Sequence, residues 1–227
     1  MGKRARSMLG TSLTVVALTM AALTVVAALV VPGGLRGLPA LLTDMPTFAL
    51  SAGTATADAG ARHCAGTVAS VAADAPARTF AEGQVGGTTS GDLRAFARRY
   101  NEIRVRHCLD PIPAGNFRYD ACMEERLVWM ATDPSENPAS AWGHEGSVRS
   151  DGVPSVGCDG NLAGGAGNAG VTVAQKWWDS LPHRASLYRP TSTEPVDAVC
   201  IAFAMTHGGV PDEPRTFTRA AARWTDC

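Results

Sequence analysis

The longest apolar run lacks any amphipathic rhythm: it continues from Leu13 to Val31 and stops at Pro32-Gly33-Gly34. From 32 to 89 the chain is rich in Ala, Gly, Thr and Pro, with few large apolar side chains. Such a stretch buries too little surface to offset its ordering entropy, so a flexible stalk is expected there. Rhythm begins at Ser90. Leu93, Phe96, Tyr100 and Ile103 recur every three or four residues, predicting a helix capped by Ser90 and ended by Pro111 and Pro113. Asp120 opens a second helix, with Met123, Leu127 and Met130 on one face and Asp133-Pro134 as its breaker. A Gly-, Ser- and Pro-rich loop is expected from about Ser135 to Gly170. Thr172 then caps a third helix through Trp177 and Trp178, halted near Pro182. The apolar run Ala198 to Met205 reads as a buried strand. A turn at 210–214 lets Arg215 to Ala221 pair back as an edge strand. This order predicts an α+β domain, helices packed on a small sheet, over 90–227, after a leader (1–31) and a stalk (32–89).

Charge gives the leader its meaning. Lys3, Arg4 and Arg6 precede the apolar run, and no acidic residue occurs before Asp44. A basic head followed by an apolar stretch is the signature of export, with the positive end kept in the cytoplasm. At about 1.5 Å per residue, 13–31 spans roughly 28 Å, close to a hydrocarbon core. That length favours an uncleaved single-pass anchor in the cell membrane over a cleaved signal peptide. Small-residue sites at Ser51-Ala52-Gly53 and Ala55-Thr56-Ala57 keep the secreted alternative open. Three of the 20 basic residues sit in this head, leaving the remainder net acidic against 21 Asp and Glu. With no basic run beyond the leader, nucleic acid is not an expected partner.

All six cysteines, Cys64, Cys108, Cys122, Cys158, Cys200 and Cys227, follow the leader, and none forms a CxxC pair. In an exported chain this reads as up to three disulfides rather than a metal cluster. Among the 15 connectivities that six cysteines allow, two pairings are suggested. Cys108 could meet Cys122 across a short Pro/Gly-containing connection, and Cys64 could meet Cys227 to join the domain's ends.

Two motif matches lead nowhere. Gly165 to Gly170 fits GxGxxG, but no apolar strand leads into it and no parallel βαβ unit follows, so a mobile loop over a cleft is expected instead. His144-Glu145 starts like HExxH, yet Val148 stands where the second histidine belongs. No GxSxG elbow occurs. Trp177 and Trp178 diverge by about 100° around a helix. One is therefore expected in the core with Leu181, and the other at a cleft or over a sheet edge.

The ordered set Asn101–Arg104, Leu109–Ile112, Trp142–Gly146, Asp159–Ala163 and Trp177–Arg184 resembles the CAP superfamily (cysteine-rich secretory, antigen 5 and pathogenesis-related 1 proteins, or SCP domains). Asn101-Glu102-Ile103-Arg104 and Leu109-Asp110-Pro111-Ile112 resemble its opening motif. Trp142-Gly143-His144-Glu145-Gly146 falls at its first histidine, and Asp159-Gly160-Asn161-Leu162-Ala163 resembles its "GENLA" loop. Trp177 to Arg184 resembles the bacterial "WMxSPGHR" segment. The resemblance covers roughly 92–221. It implies an α-β-α sandwich, an extracytoplasmic setting, and a cleft containing His144, Glu145, Asn161 and His183. In many members two histidines and two glutamates of this cleft hold a divalent metal such as zinc. Here His144 and His183 fill the histidine positions, while Gly160 and Ser180 replace the glutamates. Two imidazoles fall short of the three or four protein ligands of a stable zinc site. Glu145, Asp159 and Asp179 are the candidate replacements. The expectation is a binding module for a lipid, glycan or peptide. The alternatives are a metal-assisted hydrolase of cell-envelope material, with Glu145 as ligand or base, and a disulfide-stabilised module recognised by a partner protein.

Overall fold

The computed structural model describes Cys64 and residues 66–137, 141–210 and 212–227. The proposed anchor at 13–31 and the first part of the stalk lie outside them. Among the described residues no helix is long and apolar enough to cross a membrane. Asp58–Cys227 forms one compact unit.

Among the described residues, three helices of ten residues or more and four strands build this unit. Helix α1 is Ser90–Arg106, α2 is Ala121–Ala131 and α3 is Gly170–Asp179. The strands are β1 (Phe117–Tyr119), β2 (Asn161–Ala166), β3 (Val199–Gly209) and β4 (Glu213–Asp226), in sheet order β1-β3-β4-β2. β1 runs parallel to β3, and β4 runs antiparallel to both β3 and β2. The expected edge strand at Arg215–Ala221 is therefore an interior strand, longer at both ends. Its charged residues hid this. Arg219 is buried in a two-pronged pair with Glu213 (2.6 and 2.7 Å), and Arg223 reaches Asp120 at 2.6 Å. Strands β1 and β2 were not expected. β2 reads Asn-Leu-Ala-Gly-Gly-Ala, without a β-branched residue, and lies inside the stretch expected to be loop. Its pairing along β4 makes it a strand. Gly164 is needed there because a Cβ would stand 2.5 Å from the Trp142 ring.

Alternation along the strands divides the core. Val199, Ile201, Phe203 and Met205, with Ala220, Ala222 and Trp224, join the apolar stripes of α1 and α3. Ala202, Ala204, Ala221 and Leu162 face Met123, Leu127 and Met130 of α2. The described unit thus mixes α and β structure, compatible with the expected α+β class, with helices on both faces of a four-stranded sheet. On the first face Phe96 stacks on Phe203 (4.3 Å) and meets Trp177 edge-on (5.7 Å). Trp178 is buried as well, against Tyr188 and under the His107 ring, whereas Leu181 is 68% exposed. Both tryptophans therefore belong to the core, and Leu181 does not.

Local chemistry sets the helix ends. The cap of α1 is Thr89: its Oγ1 accepts the Asp92 N–H while Asp92 accepts the Thr89 N–H, a capping box. Ser90 instead bonds Ala75. Asp120 caps α2 as expected, accepting the Met123 N–H at 2.9 Å. Helix α3 starts before Thr172, at Gly170 after Ala169. Two motif residues near the end of α1 are structural. The Asn101 amide both donates to and accepts from the Ile112 backbone, and Arg104 donates to the carbonyls of Asp110 and Tyr188.

Two expectations are revised by packing. Residues 71–89, assigned to the stalk, lie against the domain: Val71, Val85 and Thr88 are buried, and Gly86 pairs in both directions with His207 at 2.8 Å. Short apolar residues suffice because the segment docks on a preformed sheet end. The disulfides are Cys64–Cys108, Cys122–Cys158 and Cys200–Cys227, not Cys108–Cys122 or Cys64–Cys227. Cys122 lies in the first turn of α2, where the Cys158 N–H bonds its carbonyl, and Cys227 closes β4 against the start of β3.

Candidate functional site

The cleft is built by three segments that the fold brings together. The first is the irregular loop 141–160. Arg126, buried on α2, ties it down by donating to the carbonyls of Gly143 (2.8 Å) and His144 (2.6 Å) and to the Ser155 hydroxyl. Its guanidinium also lies 4.2 Å from the Trp129 ring centroid. Burial lowers the Arg126 pKa, while Asp159 and Glu145 oppose the shift. The second segment is the start of β2, and the third is the single helical turn Leu181–His183 continued by a π-turn through Tyr188.

Together they enclose an open depression of about 480 Å³ lined by His144, Asp159, Gly160, Asn161, His183 and Ser186, with Pro182 at its edge. His144 Nδ1 lies 3.0 and 3.1 Å from the two Asp159 oxygens. Asp159 also accepts the backbone N–H groups of Glu145 (3.1 Å) and Gly160 (2.9 Å). Burial pushes the Asp159 carboxyl up, but these bonds outweigh it and hold the group below the usual carboxylate range. With Nδ1 turned to the carboxylate, His144 Nε2 remains for a ligand. Across the depression, burial and then the neighbouring His144 lower the His183 pKa, so His183 stays neutral near pH 7. Asn161 donates to the Ala222 carbonyl at 3.1 Å and accepts the Ser186 hydroxyl at 2.6 Å.

His144, Asn161 and His183, named from the sequence, thus line one depression. Glu145 is exposed and reaches the site through its backbone, and Asp159 is the carboxylate that meets the imidazole. Ser186 and Arg126 were missed. Ser186 follows His183 by three residues and so shares its helical face. Arg126 interrupts the apolar face of α2 three residues after Met123, a placement that signals a buried charge with a task.

No family model matches the chain, and no curated protein or solved structure matches it.

The donor set does not make a metal centre. Among the described residues no three of His, Cys, Asp and Glu gather closely enough to hold an ion. A side chain at Gly160 would place its Cβ 2.9 Å from Met123 Sδ and 3.1 Å from the Ala222 carbonyl oxygen, leaving a glutamate there no room without a shift. The glycines at 165–170 do not form a phosphate loop either. Strand β2 does lead into them, but it pairs antiparallel. The glycine closing this stretch, Gly170, is buried, and its missing side chain lets α3 approach α1. The mobile loop expected there is partly a strand and partly a helix contact.

Proposed function

We propose that this is an exported module of CAP/SCP type, held at the membrane through 13–31, whose cleft binds an extracellular lipid, glycan or peptide. The observation that carries the reading is the convergence of His144, Asn161 and His183, distant in sequence, on one depression of about 480 Å³. Its polar groups are oriented before any ligand arrives: Asp159 fixes His144, and Ser186 with Ala222 fixes Asn161. Preorganised polar groups in a concave site suit recognition. Three disulfides and the basic, apolar leader support an extracytoplasmic setting.

Binding is favoured over hydrolysis by one detail. A metal-assisted hydrolase would need Glu145 as ligand or base, whereas Glu145 does not line the depression and Asp159 is the carboxylate that meets His144. The test presents palmitate, chitotriose and an alanine-glycine hexapeptide separately to the full chain in detergent. The ring C2–H resonances of His144 and His183 are then followed. One of the three probes should shift both resonances saturably, stay unconverted, and lose its effect in Gly160→Trp. Silence from all three, or conversion of a bound probe, overturns the reading.

A further inference from the structure

A second cavity, of about 280 Å³, lies away from the cleft, between the segment before α1 and the β3–β4 hairpin. Arg78, Arg215, His207, Asp92 and the Gly86-Gly87 pair line it. Its walls are fixed by the backbone. Gly86 and His207 exchange hydrogen bonds at 2.8 Å, and the Gly87 N–H donates to the Arg78 carbonyl at 2.7 Å. The β3–β4 register then shifts between His207 and Gly209, where Gly208 adopts φ +75°. Such a bulge re-aims the side chains beside it, and Arg219 holds this one through Glu213 and the Gly208 carbonyl.

The charges here are arranged unequally. Asp92 Oδ2 takes His207 Nε2 (2.9 Å), the Thr89 N–H (2.9 Å) and the Thr89 hydroxyl (2.7 Å), so three polar groups already converge on this one oxygen. Arg78 meets both Tyr119 and Glu124 through a single nitrogen, Nη2, at 2.5 Å, which leaves Nη1 and Nε uncommitted. No carboxylate of the described residues pairs with Arg215. Its guanidinium lies over the backbone of Gly86, where a Cβ would come within 2.9 Å of Nη1. At Gly87 a Cβ would stand 2.7 Å from Glu124 Oε1. Gly86 thus leaves the space that the Arg215 guanidinium occupies, and Gly87 leaves the space taken by the Glu124 carboxylate.

We infer that this cavity is a second ligand site, taking the phosphate group of a small phosphate monoester between Arg78 and Arg215, with the His207 ring in its wall. Two guanidinium forks offer more directed donors than one carboxylate can accept, whereas a phosphoryl group has three oxygens to receive them. The cavity exceeds the volume of a phosphate group alone, which leaves room for its carrier. The inference does not depend on the ligand of the first cleft.

The test uses the full chain in detergent at fixed pH and ionic strength, titrated with inorganic phosphate, glycerol 1-phosphate and acetate. The chain has five histidines, and among the described residues His207 is the only one lining this cavity. Glycerol 1-phosphate should shift the His207 C2–H resonance saturably and more tightly than inorganic phosphate, with those of His107, His144 and His183 moving only slightly. Arg215→Ala, whose melting temperature is checked alongside, should weaken the apparent affinity at least about ten-fold, the effect of losing one charge-assisted contact. A non-saturating His207 shift, an unchanged affinity in Arg215→Ala, or acetate binding as tightly as the phosphates overturns the proposal. Inorganic phosphate binding more tightly than the ester overturns the assignment to a monoester.

Discussion

Each of the three tyrosines uses its hydroxyl inside the protein. Tyr100 donates to the Leu187 carbonyl at 2.6 Å, Tyr188 to the Ala174 carbonyl at 2.7 Å, and the two rings stack at 4.3 Å. Tyr119 donates to Glu124 at 2.7 Å. Burial, with the Glu124 carboxylate second, pushes the Tyr119 pKa up to about 12, and burial drives Tyr100 and Tyr188 higher still. The unfolded chain ionises its tyrosines near pH 10. Above that pH the unfolded state binds fewer protons than the folded one, so stability falls as pH rises. This contribution is fully present below about pH 10 and is lost progressively above it. Absorbance at 295 nm should accordingly stay flat to about pH 11 in the folded protein. Tyrosinate should appear at that pH only once urea has unfolded the chain. A normal titration step near pH 10 in the native protein would show that the three hydroxyls are not held in this way.

At the scale of elements, the contact between α1 and α3 rests on Gly170. A Cβ there would lie 2.5 Å from the Asp92 carbonyl oxygen and 2.7 Å from the Phe96 nitrogen, both backbone atoms that cannot swing aside. Gly170→Ala should therefore cost about 1–3 kcal/mol in urea denaturation, the range for overpacking. Gly115→Ala, where nothing lies within 4 Å, is the matching control and should be close to neutral. Equal midpoints for the two variants would remove the close approach from the account. The three helices were legible in the sequence because their buried stripes follow the helical period and Asp120 and Pro134 mark ends of α2. Strand β3 was legible as an unbroken apolar run. β2 was not, since its glycines and alanines gain their conformation from β4 and from the space they leave for Trp142. The neighbours Thr89 and Ser90 can both cap a helix, and only the geometry separates the cap from the residue that bonds Ala75.

For the whole molecule, the cleft was more legible than the boundary. His144, Asn161 and His183 were grouped by motif order and line one depression, in which Asp159 is the carboxylate beside His144. Disulfide pairing was not legible, because it depends on distances that only the fold creates. The start of the domain was hidden for a related reason. Residues 71–89 look too poor in apolar area to fold alone, yet they dock as a strap. The strap supplies Arg78 and the Thr88 N–H to Glu124, a fully buried carboxylate of α2, and the chain before it supplies Cys64 to the bond with Cys108. A chain beginning at Ser90 would lose the disulfide, worth about 2–4 kcal/mol. It would also lose the burial of Val71, Val85 and Thr88 and the bonds that Arg78 and the Thr88 N–H give Glu124. Those losses are a large part of the 5–15 kcal/mol that holds an ordinary domain. Circular dichroism melts should place the Ser90 truncation at least about 10 °C below the full chain. A Cys64→Ser/Cys108→Ser double variant, which keeps the strap but not its bond, should melt between the two. If the truncated and double-variant chains melt together, strap packing adds no stability, and the domain begins at α1 after all.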